Sequence, residues 1–220
     1  MVCQAVSKFS FQKGSLGFSL VELLIAMTLG LIVIGIVGTV YTSGMKNSTV
    51  AMKRMALYQS LNDAISIMAL EIGRAGHSES TGETSKLNGA TTSVTVHPAA
   101  SVPVSSDCID YIYRRKIPGG ALSDQNGAFF IDESHGVQSL FWVKNSNPGV
   151  ATMALCNSKY TPPLTDPDVV EITHFKLEQK KVTQGEQVSN YIIVHLEGRL
   201  RHDHAMKTTI QREIKVRNWD

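Results

Sequence analysis

The stretch Gly17-Phe18-Ser19-Leu20-Val21-Glu22-Leu23-Leu24-Ile25-Ala26-Met27, with the apolar run that follows it to Tyr41, decides how the chain is built. From Phe18 to Tyr41 the one formal charge is Glu22. About 20 apolar residues at about 1.5 Å rise each cross roughly 30 Å of hydrocarbon, so the run is long enough for a membrane-spanning helix. A polar leader carrying Lys8 and Lys13 precedes it and ends in Gly17. A secretory signal has a shorter apolar core with a small-residue cleavage site behind it. Here the residues behind the core, Gly38 to Gly44, read GTVYTSG and supply no such site. The plausible cut lies in front of the core, at Gly17–Phe18. An uncleaved anchor is the alternative.

Glu22 needs a reason to be where it is. A carboxylate inside a membrane helix costs roughly 2.5–3.5 kcal/mol on insertion scales, so it rarely stands there without a partner. One relief is local, because an acid in the first turn faces the positive end of the helix dipole.

Gly17-Phe18-Ser19-Leu20-Val21-Glu22 resembles the class III signal of type IV pilins and their pseudopilin relatives. Basic leader, glycine, phenylalanine and a lone glutamate in an apolar helix all coincide. The resemblance implies a prepilin peptidase that cuts after Gly17 on the cytoplasmic side, and methylation of the new amino terminus on Phe18. It makes Glu22 the fifth residue of the mature chain, where the family carries its glutamate. That position offers a second relief: pairing with the amino-terminal charge of a neighbouring subunit, which would fix axial register during filament assembly. The implied placement is a single pass of the inner membrane with a periplasmic carboxy-terminal domain. The flanking charges do not orient the span by themselves, because Lys46, Lys53 and Arg54 follow it.

At 220 residues there is room for one sizeable domain and an anchor. Loss of the two leader lysines would bring 21 basic residues level with 19 acidic ones. So balanced a chain gives no bulk electrostatic argument for nucleic acid or anionic lipid, although a local basic patch stays open. Cys3 would leave with the leader. Cys108 and Cys156 would remain as an even pair in the oxidising compartment that the resemblance implies. A bridge between them would close a loop of about 49 residues and contribute about 3–4 kcal/mol. Two buried thiols are the alternative.

Beyond the span, Tyr58, Leu61, Ile65, Met68 and Ile72 recur at gaps of three and four, with Met52 and Met55 extending the stripe backwards. Lys53, Arg54, Gln59, Asn62, Asp63 and Glu71 fall on the other face. Gly73 and Gly76 read as the stop. A helix over residues 18–76 would be on the order of 90 Å long. Gly30, Gly35 and Gly38 suit close helix approach, or a weak point that lets the helix loosen in a filament. The segment Leu61 to His77, LNDAISIMALEIGRAGH, resembles the end of the helix in PilW-type minor pilins, where an acid, an isoleucine and an Arg-Ala-Gly-aromatic run close it. His77 stands at the aromatic position.

Residues 78–107 read as an exposed Ser, Thr and Gly-rich loop with a short strand at Ser93–Val96. Strands are expected at Asp110–Arg114, Ala128–Ile131, Gln138–Val143 and Met153–Cys156, with turns over Lys116–Gly127, Glu133–Gly136 and Asn145–Gly149. Further strands are expected at Val169–Glu178, Tyr191–Arg201 and Thr208–Arg217, joined by turns at Gln184–Glu186 and His202–His204. Ile192, Val194, Leu196 and Leu200 share one face, and Ile210, Ile214 and Val216 point inward. This closing pair also resembles the ending of PilW and J-type pseudopilin sequences.

The expected architecture is α+β and pilin-like: a long amino-terminal helix packed on an antiparallel β-sheet domain. Its divisions are a leader at 1–17, a membrane half at 18–41, an amphipathic half at 42–76 and a β-rich domain at 77–220. No hydrolase, zincin, Walker or Rossmann signature is present, so neither an enzyme nor a cofactor is expected. His202 and His204, with His195 near, could be metal ligands, and Asp166 and Asp168 could offer oxygens to calcium. Both groups sit in expected turns, where polar side chains are simply solvated, so no metal site is expected. The resemblance implies a minor pilin that helps to start or cap a type IV pilus. Its partners would be other minor pilins, the major pilin, prepilin peptidase and the inner membrane. The alternatives are a J-type pseudopilin of a type II secretion system, and a membrane-tethered module that contacts a surface or DNA.

Overall fold

A long helix, α1, runs from Leu20 to Gly73 in the computed structural model, which describes residues 17–79, 84–86, 89–98, 107–116, 119, 121–134, 136–145, 155–156, 161–185 and 187–217. No proline interrupts it, and it passes unbroken through Gly30, Gly35 and Gly38. It ends where the sequence changes register. Ala75 N–H still reaches Ile72 O at 3.1 Å, but Gly76 takes a positive φ of 74°, and its N–H donates to Ile112 O at 2.8 Å. Glycine suits that backbone because a Cβ there is strained.

The chain divides into two compact units, one up to Val50 and one from Ala51 onward. In the first, every described side chain of α1 is exposed. In the second, α1 buries Leu57, Leu61, Ala64, Ile65, Met68 and Ile72. Burying a side chain the size of Leu61 or Ile65 contributes about 1.5–3 kcal/mol.

The stripe is not quite the expected one. Tyr58, Met52 and Met55 are exposed by 56%, 63% and 71%, and Leu57 takes the buried place. Helical geometry explains this: at about 100° per residue Met52 lies opposite Leu61, and Tyr58 lies about 60° to its side. Glu71, expected on the outer face, is only 4% exposed.

Two antiparallel meanders complete the second unit. One contains β1 (Val94–His97), β2 (Cys108–Lys116), β3 (Leu122–Ser134) and β4 (Val137–Asn145), in that order across the sheet. The other contains β5 (Val170–Gln184), β6 (Gln187–Leu200) and β7 (Asp203–Val216). Glycines at positive φ make two of the hairpin turns, Gly136 between β3 and β4 and Gly185 between β5 and β6. The last turn sits at Arg201–His202, and Asp203 and His204 belong to β7 rather than to the turn.

The expected turn over Lys116–Gly127 is corrected most. β3 starts at Leu122 and pairs with β2 through Lys116↔Leu122. Its polar start holds because the side chains pair across the ladder: Arg114 donates to both carboxylate oxygens of Asp124, at 2.7 and 3.1 Å. Leu155 and Cys156 carry no strand, and Met153 and Ala154 lie outside the described residues. The turn over Asn145–Gly149 also lies outside them beyond Asn145, which closes β4.

Successive strand residues point to opposite faces. Phe129 and Ile131 of β3 join the core formed with Leu57, Leu61, Ile65 and Ile172, whereas Ala128 and Phe130 join a smaller cluster with Cys108, Phe141, Leu155 and Cys156. The first sheet is thus covered on both faces. In the second sheet Ile192, Val194 and Leu196 are fully buried, in keeping with their alternation. A bulge between Ile172 and His174 shifts the parity of β5, so that Val170 and Ile172 before it and Phe175 and Leu177 after it all reach the core.

Candidate functional site

The amino terminus of α1 is built from Ser19-Leu20-Val21-Glu22, a Ser-x-x-Glu capping box. The first helical N–H groups have no partner inside the helix, and side chains at the cap supply them. Val21 N–H donates to Ser19 Oγ at 3.4 Å. Ser19 N–H donates to Glu22 Oε2 at 3.0 Å. Leu23 N–H closes the first turn on Ser19 O at 3.2 Å. Glu22 therefore has a partner within its own helix, and its charge also faces the positive dipole end. Gly17 and Phe18 lie outside the helix and are exposed, Phe18 by 88%. Beyond the cap, the side chains from Leu20 to Tyr41 stay exposed, and this segment is long and apolar enough to cross a membrane.

At the other end of α1, a polar cluster fixes how the helix sits on the first sheet. Tyr111 Oη and Tyr113 Oη each donate to Glu71 Oε2 at 3.1 Å. Arg74 Nη1 donates to Glu71 Oε1 at 3.4 Å, and Lys144 Nζ stands 4.0 Å from Oε2. Trp142 Nε1 donates to Tyr111 Oη at 2.8 Å, and Lys144 lies over the Trp142 ring. The rings of Tyr111, Phe129 and Trp142 stack in a row. Burial, and then the Glu71 charge, push the Tyr111 hydroxyl far above its ordinary pKa. Burial first and Glu71 second also raise that of Tyr113. Neutral phenols beside a charged acceptor are the donors this arrangement needs.

Two glycines make room for these contacts. A Cβ on Gly127 would meet Tyr111 Oη and Val143 O, each at 2.6 Å, and one on Gly198 would meet Leu61 Cδ2 at 3.0 Å. The first lets Tyr111 reach Glu71, and the second lets α1 lie on β6.

Cys108 and Cys156 form a disulfide, with Cα atoms 6.1 Å apart. It ties the start of β2 to the segment after β4 and closes the smaller cluster. The structure joins these two cysteines, whereas Gly17, Phe18 and Glu22 are neighbours along the chain only. His204 is exposed and 4.0 Å from Glu171, and His195 is 3.9 Å from Glu178. No group of three acidic, histidine or cysteine side chains among the described residues could hold a metal ion. Asp166 Oδ1 accepts from Asp168 N–H at 2.9 Å within its own loop, and Asp168 accepts from Arg201 of the β6–β7 turn at 2.8 Å, so both acids have protein partners.

A family model described as prepilin peptidase-dependent protein B matches residues 50–216. The chain belongs to the prepilin peptidase-dependent protein B family. A second model, the prokaryotic N-terminal methylation motif, matches residues 12–38. No match is found among curated proteins or among solved structures.

As a member of this family the chain is a type IV pilin-like protein, a component of a pilus or pseudopilus. Such families are structural rather than enzymatic. Its apolar amino-terminal helix is a single membrane anchor. The methylation motif covers Gly17, Phe18 and Glu22, and the larger match covers Glu71, the tyrosines and the disulfide. Glu71, Tyr111, Tyr113 and Trp142 are the residues that sequence reasoning missed as a unit. One signal was available: Glu71 lies three residues from both Met68 and Arg74, on the flank of the apolar stripe.

Proposed function

We propose that the chain is a minor pilin of PilW type, which packs α1 beside the corresponding helices of other minor pilins to start or cap a type IV pilus. One observation carries this reading. The helix from Leu20 to Tyr41 carries Glu22 as its one formal charge, and its side chains are all exposed. Such a surface calls for lipid first and for similar helices afterwards. In this reading a prepilin peptidase removes residues 1–17, and Phe18 becomes a methylated amino terminus. Residues 18–41 cross the inner membrane, 42–76 carry the amphipathic half of the helix and its glycine stop, and 77–220 form the periplasmic domain. Exposure of Gly17 and Phe18 outside the helix supports the cut, because a peptidase needs an extended, accessible bond.

Glu22 in this reading exchanges its bond to Ser19 N–H for the amine of a neighbouring subunit, which sets the axial step. Glu22→Ala tests that role. The processed variant is expected to stay in the membrane and to enter sheared pili at a small fraction of the wild-type amount, measured by immunoblot. Incorporation equal to wild type rejects the pairing. A J-type pseudopilin is distinguished by deleting the gene: loss of surface pili with normal enzyme secretion supports the minor pilin, and the reverse supports the pseudopilin.

A further inference from the structure

Where α1 ends, two recesses of about 460 and 480 Å³ adjoin and share Gly73, Arg74 and Arg217. The first reaches Arg115 of β2 and is edged by Glu79. The second runs between Leu70 of α1 and the residues from Arg212 to Lys215 of β7. Successive strand side chains point to opposite faces, so a space bordered by four consecutive residues lies along the edge of the strand. β7 is the outer strand of its sheet. Among the described residues no other strand pairs with its free side, which leaves alternate backbone donors and acceptors open.

The charges of this groove are unbalanced. Arg74, Arg115, Arg212, Lys215 and Arg217 line it against Glu79 and Glu213. Both acids are already engaged: Glu79 accepts from Lys116 N–H, and Glu213 accepts from Lys180 at 3.4 Å. Arg74 serves Glu71, and Arg212 donates to Ser66 Oγ at 3.1 Å. Arg115, Lys215 and Arg217 are exposed, and among the described residues none has an ion pair.

We propose that the groove docks an extended, carboxylate-rich segment of another protein, laid along the free edge of β7 with its acids on Arg115, Lys215 and Arg217. Backbone bonds to the edge supply affinity, and the cations supply selection. Basic side chains on an edge strand also keep like strands from pairing with it. A second copy of β7 would set cations on cations, so the charge that blocks self-pairing favours an acidic strand. The open backbone donors and acceptors along β7, the outer strand of its sheet, favour a polypeptide over a polyphosphate, which cannot extend a strand ladder. Leu70, 52% exposed, offers the segment one apolar contact.

The test uses the full chain in uncharged detergent micelles and a fluorescent peptide of alternating Thr and Glu, about ten residues long. Anisotropy is expected to report salt-sensitive binding. It should weaken about tenfold or more for the Thr–Gln peptide, and likewise for the Arg115→Gln/Lys215→Gln/Arg217→Gln variant. Circular dichroism melting of that variant, whose substituted side chains are exposed, should match wild type. Equal binding of the Gln peptide, no binding of the Glu peptide or an unaffected variant overturns the proposal. Binding of single-stranded DNA in place of the peptide, or dimerisation abolished by the variant, also overturns it and assigns the groove to nucleic acid or to a second copy.

Discussion

Glu71 owes its position to partners that the helix itself does not supply. Within α1 it reads as one more acid beside the apolar stripe, and its spacing from Met68 hints at a flank position without saying what would bury a carboxylate there. The two hydroxyls that fix it come from β2, forty residues further along. No local pattern announces such a pair, so the sequence places Glu71 in the helix and leaves its burial unread. Glu71→Ala would leave Tyr111 and Tyr113 without their acceptor and Arg74 without its carboxylate. It is expected to cost about 3 kcal/mol, whereas Glu71→Gln should cost less because an amide oxygen still accepts from both phenols. Urea unfolding of the detergent-held chain, followed by tryptophan fluorescence, measures both.

The tyrosines carry their own prediction. Their folded pKa values lie above the ordinary 10, so the stability they contribute is complete below pH 10 and is lost as the pH rises beyond it. An absorbance titration should therefore find Tyr111 and Tyr113 still protonated as the pH passes 10. Replacing Glu71 by Gln should bring Tyr113 down towards its ordinary value, because the Glu71 charge is one cause of the shift.

Element by element, the best-read parts are those with a strict period and a single wet face. β6 shows this, with Ile192, Val194 and Leu196 inward and His195, Glu197 and Arg199 outward. β3 was hidden because its first half is polar and it contains a glycine, both of which usually mark turns. Gly127 is instead a mid-strand requirement, set by Tyr111 Oη and Val143 O. Gly127→Ala forces a Cβ against a backbone carbonyl and is expected to cost about 1–3 kcal/mol. Gly198→Ala should cost less, because its nearest contact is the end of the flexible Leu61 side chain. Denaturant midpoints of the two variants, taken side by side, check the order. The bulge in β5 was equally hidden, since one extra residue, Thr173, only breaks an alternation that the sequence otherwise obeys.

For the molecule as a whole, the anchor and the α+β class were legible from the run beginning at Phe18 and from the alternating strands. The division of the strands into two meanders was not, because it depends on which strand ends meet in space. The disulfide ties the start of β2 to the strandless segment after β4. Cys108→Ser with Cys156→Ser frees the segment after β4 and is expected to lower stability by about 2–5 kcal/mol, with a drop in the thermal midpoint measurable by circular dichroism. A reducing agent should reproduce the drop in wild type and have no effect on the double variant.

The contact of Leu61 with Gly198 has a consequence for biosynthesis. Half of what covers the stripe from Leu57 to Ile72 is made last, in residues 170–216. A nascent polypeptide must therefore carry that oily strip partly uncovered until the ribosome has nearly finished. A product truncated before β5 would keep only the cover from the first sheet, and would be a natural substrate for chaperones and quality-control proteases.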